Sequence, residues 1–532
     1  MDPVIVVGAG PVGLSLSLAL AGHGVPSIVL DEGPGKDLPR PARTVVLHSD
    51  TAAMAERLGC ATLRDEGAYY AAWRTMRRSR DTGRITFEDD PEPAPLHVPQ
   101  HALTRGMRAA AAAHPLVQLV AESKLDALEQ DDRGVTAHTR GAETTWWRGS
   151  FLVGCDGARS TVRKLLGIRF PGRTAVERHA VAALRIELPW PGEALLHRDP
   201  PQEITARPLA DGVWRLDWLL PARGELVTPD ALVNLVRDTL VGWCGSTTPP
   251  YDLLDTGVHT LHHRLARTWR DRRAFLAGDA AHLLGALGTQ GVEEGLRDAE
   301  NLAWKLGIAW HQGASEALLD SYADERRTAV AARLRAADQA MPALRGGGGL
   351  RTLLPGSARA EALLTDSHLG RGPLGARPSY APPVAVREVP TATEPGGAVA
   401  NVAVSAPDGS TVPLRDLLGR GRMLVVLVAP GTGVWDRRHW LGAGLMPRLA
   451  AAVAALPVRA ELLVADDYPG AAAHTVLLVR PDGHLAATFA GVRPAELYEA
   501  ADAVRRGAPT RTAPSTPAPT PAPTPATAPV TD

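Results

Sequence analysis

The chain has 532 residues, 22% charged and 45% hydrophobic, with a formal net charge of -1. That length exceeds one ordinary core and predicts roughly three domains, while the even charge balance excludes a nucleic-acid partner held by bulk charge. Three scattered cysteines, Cys60, Cys155 and Cys244, exclude a disulfide framework and a metal cluster, and no window reaches the ~18 uninterrupted apolar residues of a membrane span.

No basic stretch precedes the apolar start, which runs straight into a glycine turn, so an export signal is not expected and a reducing cytoplasm is. Val4 to Val7 is β-branched and apolar and predicts a strand. Gly8-Ala9-Gly10-Pro11-Val12-Gly13 follows, then a helix-like apolar run from Leu14 to Ala21. Ser27 to Leu30 reads as a second strand, ended by Asp31 and Glu32, completing a β-α-β unit. In such a unit Gly8 permits the tight reversal, Gly10 lets backbone approach a pyrophosphate, and Gly13 lets helix pack on strand. Asp31 or Glu32 supplies the carboxylate for ribose hydroxyls. A dinucleotide site is predicted, without deciding which dinucleotide.

Short β-rich segments from about 174 to 261, such as Val213 to Leu220, predict a sheet inserted between two parts of the first domain. Its tryptophans Trp190, Trp214 and Trp218 are candidates for an apolar pocket or for core packing. Ala274 to Ala277 reads as strand and turn leading into a helix from about Val292 to His311, where Leu296, Ala299, Leu302, Ala303, Leu306 and Trp310 recur at helical spacing. Ala323 to Ala340 is a further helix by propensity. Gly346 to Gly349 marks a break, and Ala381-Pro382-Pro383 marks a linker. A small α/β unit then begins: a strand at Met423 to Val428, a helix near Leu445 to Leu456, and a strand at Glu461 to Val464. A hairpin pairs Thr475 to Val479 with Leu485 to Phe489 across Pro481-Asp482-Gly483, and a helix runs from Pro494 to Val504. Beyond Gly507 the near repetition of Pro, Thr and Ala predicts a tail without a core.

Two further motifs narrow the dinucleotide. Gly154-Cys155-Asp156-Gly157-Ala158-Arg159-Ser160-Thr161-Val162-Arg163 resembles the DG motif, and Ala274-Phe275-Leu276-Ala277-Gly278-Asp279-Ala280-Ala281-His282 resembles the GD motif, of the group A FAD-dependent aromatic hydroxylases. These are single-component monooxygenases of the para-hydroxybenzoate hydroxylase and 3-(3-hydroxyphenyl)propionate hydroxylase type, and the resemblance runs from about Val4 to Arg345. It implies an α/β fold: a Rossmann-like FAD-binding domain from 1–173 and 262–345, with an inserted β-sheet substrate domain, 174–261, also fed by parts of 68–100. A linker, 346–390, would precede a thioredoxin-like α/β domain, 391–507, and a disordered Pro/Thr/Ala tail, 508–532. Ala429-Pro430-Gly431-Thr432-Gly433-Val434 stands where a redox thioredoxin carries its cysteines and has none, so structural or homodimerising use is expected there.

The resemblance also distributes roles. Asp279 would receive the ribityl hydroxyls of FAD; Asp156 and Arg159 would serve the DG motif, which couples the FAD site to reduction by NAD(P)H. Arg43 would lie near the flavin and its pyrophosphate, Gln100 would contact the cofactor, and Leu125 would offer its backbone to the adenine. Gly291, Val292 and Glu293 form the stretch whose last two amides meet the pyrimidine edge of the flavin. His282 is either a packing histidine or an acid-base group, no catalytic side chain is assigned, and no metal is expected.

One loop departs from the family. The usual Pro-Pro pair and Gly-Gly-Gln-Gly-Leu-Asn stretch are replaced by Leu284-Gly285-Ala286-Leu287-Gly288-Thr289-Gln290-Gly291-Val292-Glu293, which alters the reaction face. Glu293 would set a negative charge beside an anionic reduced flavin unless protonated or turned away. The implied function is an FAD-dependent, NAD(P)H-consuming monooxygenase that uses dioxygen, through a flavin hydroperoxide, to hydroxylate a phenolic or polycyclic polyketide-like aromatic. Baeyer-Villiger oxidation or epoxidation stays open, as do a flavin-dependent reductase and a non-catalytic flavin-binding scaffold. With no second Gly-rich β-α-β unit, NAD(P)H is expected as a transient visitor, and without Cys-x-x-Cys disulfide reduction is not expected. No charged residue is assigned to the substrate.

Overall fold

Val4–Val7 is buried at all four positions and pairs in parallel with Ser27–Leu30 on one side and Phe151–Gly154 on the other. Continuous apolar runs are what a parallel sheet covered on both faces requires. These strands belong to the computed structural model, which describes residues 1–506 apart from 78–79, 89–92, 142–144, 200–201, 222–223, 225–226, 246–248, 314, 346–355, 383–388, 407 and 432–444, and apart from the side chains of 356–360. The break at Gly346 to Gly349, the Thr432 to Val434 stretch and the tail beyond Gly507 fall outside these residues.

Val117–Val120 and Ala274–Leu276 extend the sheet in parallel, and Arg270–Asp271 closes one edge antiparallel. Val7 is the register partner of Gly154, and Gly154 of Leu276. The loops after these three strands therefore leave the sheet side by side at its carboxyl ends, where open α/β sheets bind ligands. Helix α1, Pro11–Gly22, starts straight from the glycine turn with proline at its first position, where a missing N–H is no loss. Helix α2, Gln100–Ala113, packs against α1.

A second sheet has eight strands in the order 282–283, 252–265, 172–185, 213–220, 202–208, 193–199, 72–77 and 80–86. Strict alternation divides its faces. On Val213–Leu220, Trp214, Leu216 and Trp218 join the core under α3, Pro229–Cys244, with Leu232, Val236 and Leu240. The Trp218 indole N–H donates to Thr239 Oγ1 at 2.9 Å. These tryptophans are core residues, and the opposite face carries Arg215, Asp217 and Leu219.

Helix α4, Gly291–Gln312, crosses α1 so closely that a Cβ added to Gly295 would lie 2.4 Å from the Val12 side chain. The helix expected from Ala323 opens instead with a π turn, Ala323–Arg327, before α5, Thr328–Arg345. The π turn aims the buried Arg326 at Asp298 and Glu294, at 2.8 and 2.7 Å.

The stretch expected as a linker, 346–390, is structured in its described middle. Helix α6, Gly356–His368, and the turn Gly372–Gly375 bury Leu364, Leu369 and Leu374 against Trp73, Leu287 and Met341. Glycines and prolines at its two ends conceal this apolar centre.

A six-stranded sheet follows, ordered 411–413, 403–405, 460–465, 423–428, 475–479 and 485–490. Met423–Val428 pairs in parallel with Ala460–Ala465 and antiparallel with Thr475–Val479, and the hairpin to Leu485–Ala490 forms as predicted. Met446–Ala454 and Pro494–Val504 cover one face. The hairpin tip docks on α4: Asp482 Oδ2 accepts from Trp304 Nε1 at 3.0 Å and Asn301 Nδ2 at 3.1 Å. No helix among the described residues is long and apolar enough to cross a membrane.

Candidate functional site

The glycine turn separates into two kinds of glycine. Gly8 has φ +104°, and a Cβ there would sit 2.5 Å from the Cys155 carbonyl oxygen; a Cβ on Gly13 would sit 1.9 Å from that of Gly8. Both are demanded by the fold. A Cβ on Gly10 would meet nothing within 4 Å, so this position leaves open space at the amino end of α1, where backbone N–H groups and the helix dipole favour phosphate.

Asp31 braces the turn, Oδ2 accepting from Ala9 N at 2.6 Å and Oδ1 from Gly33 N at 2.8 Å. Glu32 is exposed beside Lys124 at 3.4 Å. Asp31 O accepts from Ser123 N at 2.7 Å, which brings the strand Ser123–Gln130, with the buried Leu125, alongside the acid pair.

Asp156 Oδ2 caps the short helix Thr161–Leu165 by accepting from Thr161 N at 2.6 Å and Val162 N at 3.0 Å, while its Oδ1 is buried without a hydrogen-bond partner. Arg159 is exposed beside it. Arg163 ties the second loop to the third through a 2.8 Å hydrogen bond to the Ala280 carbonyl. In that third loop the Asp279 side chain is exposed where it lines the cavity described below, and desolvation by the surrounding protein raises its carboxyl above the ordinary value against the pull of His282 and Arg43. His282 packs: it is buried, stacked on Trp269 at 5.3 Å, with Nε2 2.8 Å from Asp298.

Asp279 opens onto a cavity of about 1080 Å³, mouth included, between the first and second sheets. One wall is Arg43, Gln100, Asp279, Gly291 and Val292. Arg43 Nε donates to Gln100 Oε1 at 3.0 Å, and Gln100 N donates to Arg43 O at 2.9 Å, so the two hold each other at the start of α2. Glu293 is turned away. Its carboxylate accepts from His48 N at 3.0 Å and Thr51 Oγ1 at 2.8 Å and pairs with His48 and Arg297. Burial would raise this carboxyl, but Arg297 and His48 outweigh it and hold it at about 2. Its charge is neutralised behind the helix end instead of facing the cavity.

The altered loop is locked from outside. Leu287 has φ +56°, unusual for a residue with a Cβ, and its N–H donates to Glu177 Oε2 at 3.0 Å. Gly288, φ +81°, faces the His368 ring, which a Cβ would approach to 2.4 Å.

The opposite wall is charged, and the sequence reasoning missed it. His179 Nδ1 lies 2.6 Å from Asp217 and Nε2 3.3 Å from Glu177. Burial pulls His179 down, yet Asp217 and Glu177 outweigh it and raise it to about 9. His259 stacks on it at 5.5 Å and 9°, lowered by burial to about 4. Alternation against Trp214, Leu216 and Trp218 was the available signal for Arg215 and Asp217; His368, beyond the glycine break, had none.

A family model described as an FAD-binding domain matches residues 1–337. The chain belongs to this FAD-binding family. It is 30% identical over 341 residues to a 3-(3-hydroxy-phenyl)propionate/3-hydroxycinnamic acid hydroxylase of Paraburkholderia xenovorans (strain LB400), across 61% of this chain and 52% of that protein. It is 33% identical over 341 residues to the rifampicin monooxygenase of Streptomyces venezuelae, across 61% and 68%. The anhydrotetracycline hydroxylase of Streptomyces rimosus superposes with a TM-score of 0.65 at 28% identity, over 92% of this chain and 95% of that one. The match spans about half the length of the curated propionate hydroxylase. The residues present fit FAD: open space at Gly10 suits a pyrophosphate, and the unpartnered Asp156 Oδ1 and the Asp279 carboxylate suit hydroxyl donors.

Proposed function

We propose that the protein is an FAD-dependent, NAD(P)H-consuming monooxygenase that hydroxylates a phenolic or polycyclic polyketide-like aromatic. The observation that carries this is the cavity itself, with the Asp279 loop and the amino end of α4 on one wall and the inserted sheet on the other. Hydroxylase and monooxygenase relatives support it. Bound FAD would supply activation of dioxygen for transfer of one oxygen atom, with NAD(P)H as electron donor.

Around it, Gly8, Gly10 and Gly13 with the α1 amino end would hold the pyrophosphate, Asp31 or Glu32 the ribose, and the Leu125 backbone the adenine. Asp279 would receive the ribityl hydroxyls, Arg43 and Gln100 would flank the cofactor, and the amides of Val292 and Glu293 would meet the flavin's pyrimidine edge. Asp156 and Arg159 would couple this site to reduction. The inserted sheet and His368 of α6 form the wall opposite, and a substrate filling the mouth would complete the exclusion of water that the chemistry requires.

The limits of the two FAD-binding parts and of the inserted sheet, and a thioredoxin-like fold for 391–507, are part of this proposal, as are a cytoplasmic site of action and a homodimer; 346–390 is not retained as a linker. The C-terminal unit has no cysteine and acts as a structural clamp on α4. FAD-loaded protein given NADH or NADPH in air with phenols, naphthoquinones and anthraquinones is expected to oxidise the nicotinamide faster with one aromatic class. The product should carry one oxygen atom from labelled dioxygen. Peroxide release with every aromatic and no labelled product would overturn the proposal, and product formed without dioxygen would favour a reductase. The altered loop, 284–293, supports Baeyer-Villiger or epoxidising chemistry as the second reading, recognised by a lactone or epoxide product.

A further inference from the structure

We infer that Arg207 is an anion receptor within the cavity, so that the ligand placed against the cofactor wall carries an ionised oxygen. This rests on the cavity being the substrate site. On the strand Gln202–Pro208, Glu203, Thr205 and Arg207 line the cavity while Ile204 and Ala206 pack behind. The other two arginines on this wall are matched: Arg215 has Asp217 at 3.0 Å, and Arg345 has Glu177 at 2.6 Å and Glu203 at 2.7 Å, while Arg43 lies on the opposite wall. Asp217 is shared again with His179, so the sheet's carboxylates are spoken for.

Arg207 has no carboxylate within ion-pair distance among the described residues. It is only 6% exposed, its Nε is buried without a hydrogen-bond partner, and its Nη2 donates to His368 Nδ1 at 3.0 Å, with the buried Tyr70 hydroxyl beside the guanidinium. Burial, followed by the charge of Arg207, lowers His368 well below the ordinary histidine value, so it accepts as a neutral ring and brings no counter-charge. A buried guanidinium that draws on Asp217 without an ion pair, while Asp217 is itself in contact with His179 and Arg215, is undercompensated in a low-dielectric wall and is favoured by an arriving anion. A guanidinium fork recognises a carboxylate or two adjacent ring oxygens, one ionised, through parallel hydrogen bonds. The ligand class is therefore an aromatic acid or a polycycle with an acidic phenol or enol.

Paired probes separate the two sources. Anthraquinone-2-carboxylate against its methyl ester tests the carboxylate; 1,2-dihydroxyanthraquinone against its dimethyl ether tests the phenolate. Binding to FAD-loaded protein is read from perturbation of the flavin absorbance, without NAD(P)H. The native protein is expected to bind one ionised member about tenfold or more tighter than its neutral partner, as for a charge-assisted pair. Arg207→Gln should erase that preference, bringing the two members of a pair to equal affinity, and Arg207→Lys should retain part of it. If Arg207→Gln does not fold, decline of the preference with added salt in the native protein and its reduction in Arg207→Lys decide instead. Equal affinity for both members of both pairs, or a preference that survives Arg207→Gln, overturns the inference. Anion-selective binding without turnover would sink the monooxygenase alone, and turnover of neutral aromatics without selectivity would sink Arg207 alone.

Discussion

His179 sits between two carboxylates, and that arrangement sets a sign for its pH response. Its value is raised from 6.5 to about 9 because Asp217 and Glu177 outweigh burial. A folded value above the unfolded one means the stabilisation is complete below about 6.5 and is lost as pH rises through about 9. Thermal melts of the native protein are expected to fall across that window, and Asp217→Asn should flatten the slope; a native profile already flat there would rule out the protonated ring. Glu293 works in the opposite sense. Held at about 2, it stabilises above its ordinary 4.5 and loses that contribution as pH falls toward 2. Glu293→Ala strips His48, Thr51 and Arg297 of a shared partner, and urea unfolding should register a loss of about 3–5 kcal/mol.

The glycine turn shows what a short element needs and what it leaves free. Gly13→Ala places a methyl group 1.9 Å from the Gly8 carbonyl oxygen and should abolish soluble folded protein. Gly10→Ala meets no atom, so its melting temperature without cofactor should match the native protein while FAD affinity, measured by fluorescence titration, falls at least about tenfold. An unchanged affinity would remove the pyrophosphate from this position. Such elements were legible because backbone geometry dictates residue type: Gly8 needs its positive φ, and Val4–Val7, Val213–Leu220 and Met423–Val428 need their apolar or alternating patterns. The sequence motifs accordingly pointed to Arg43, Gln100, Asp279, Gly291 and Val292, which the fold brings together on one wall of the cavity. The facing wall was not legible, since Glu177, His179, Arg207 and Asp217 occupy alternate strand positions that look like a solvated surface until the pairing of 172–185, 202–208 and 213–220 gathers them. Helix α6 was hidden for a different reason: Gly and Pro at both ends outweighed the apolar Leu363 and Leu364 between them.

At the scale of the whole molecule, the C-terminal sheet completes the core of the first unit. Trp304 and Leu318 belong to the same buried cluster as Val425, Phe489 and Leu497. Beside them Glu325 accepts from Lys305 at 2.8 Å and from Arg480 at 2.9 and 2.8 Å, with Arg480 also on Asp482 at 2.6 Å. Asp482→Ala leaves Arg480, Asn301 and the Trp304 N–H short of an acceptor in a dry interface, and denaturant unfolding should report a loss of about 3–5 kcal/mol. Truncation after residue 390 uncovers Trp304 and is expected to yield aggregated protein, which size-exclusion chromatography checks.

Helix α4 touches the cavity with its first residues and the hairpin tip with Asn301 and Trp304. Its 22 residues make a rod about 33 Å long. To the extent that α4 unfolds as one unit, occupancy at one end is felt at the other by mass action. FAD at a hundredfold excess over its dissociation constant should add about 2.7 kcal/mol to the stability of the hairpin as well as of the glycine turn. Slower amide exchange across Thr475–Ala490 on FAD addition would register that linkage far from any atom the cofactor meets.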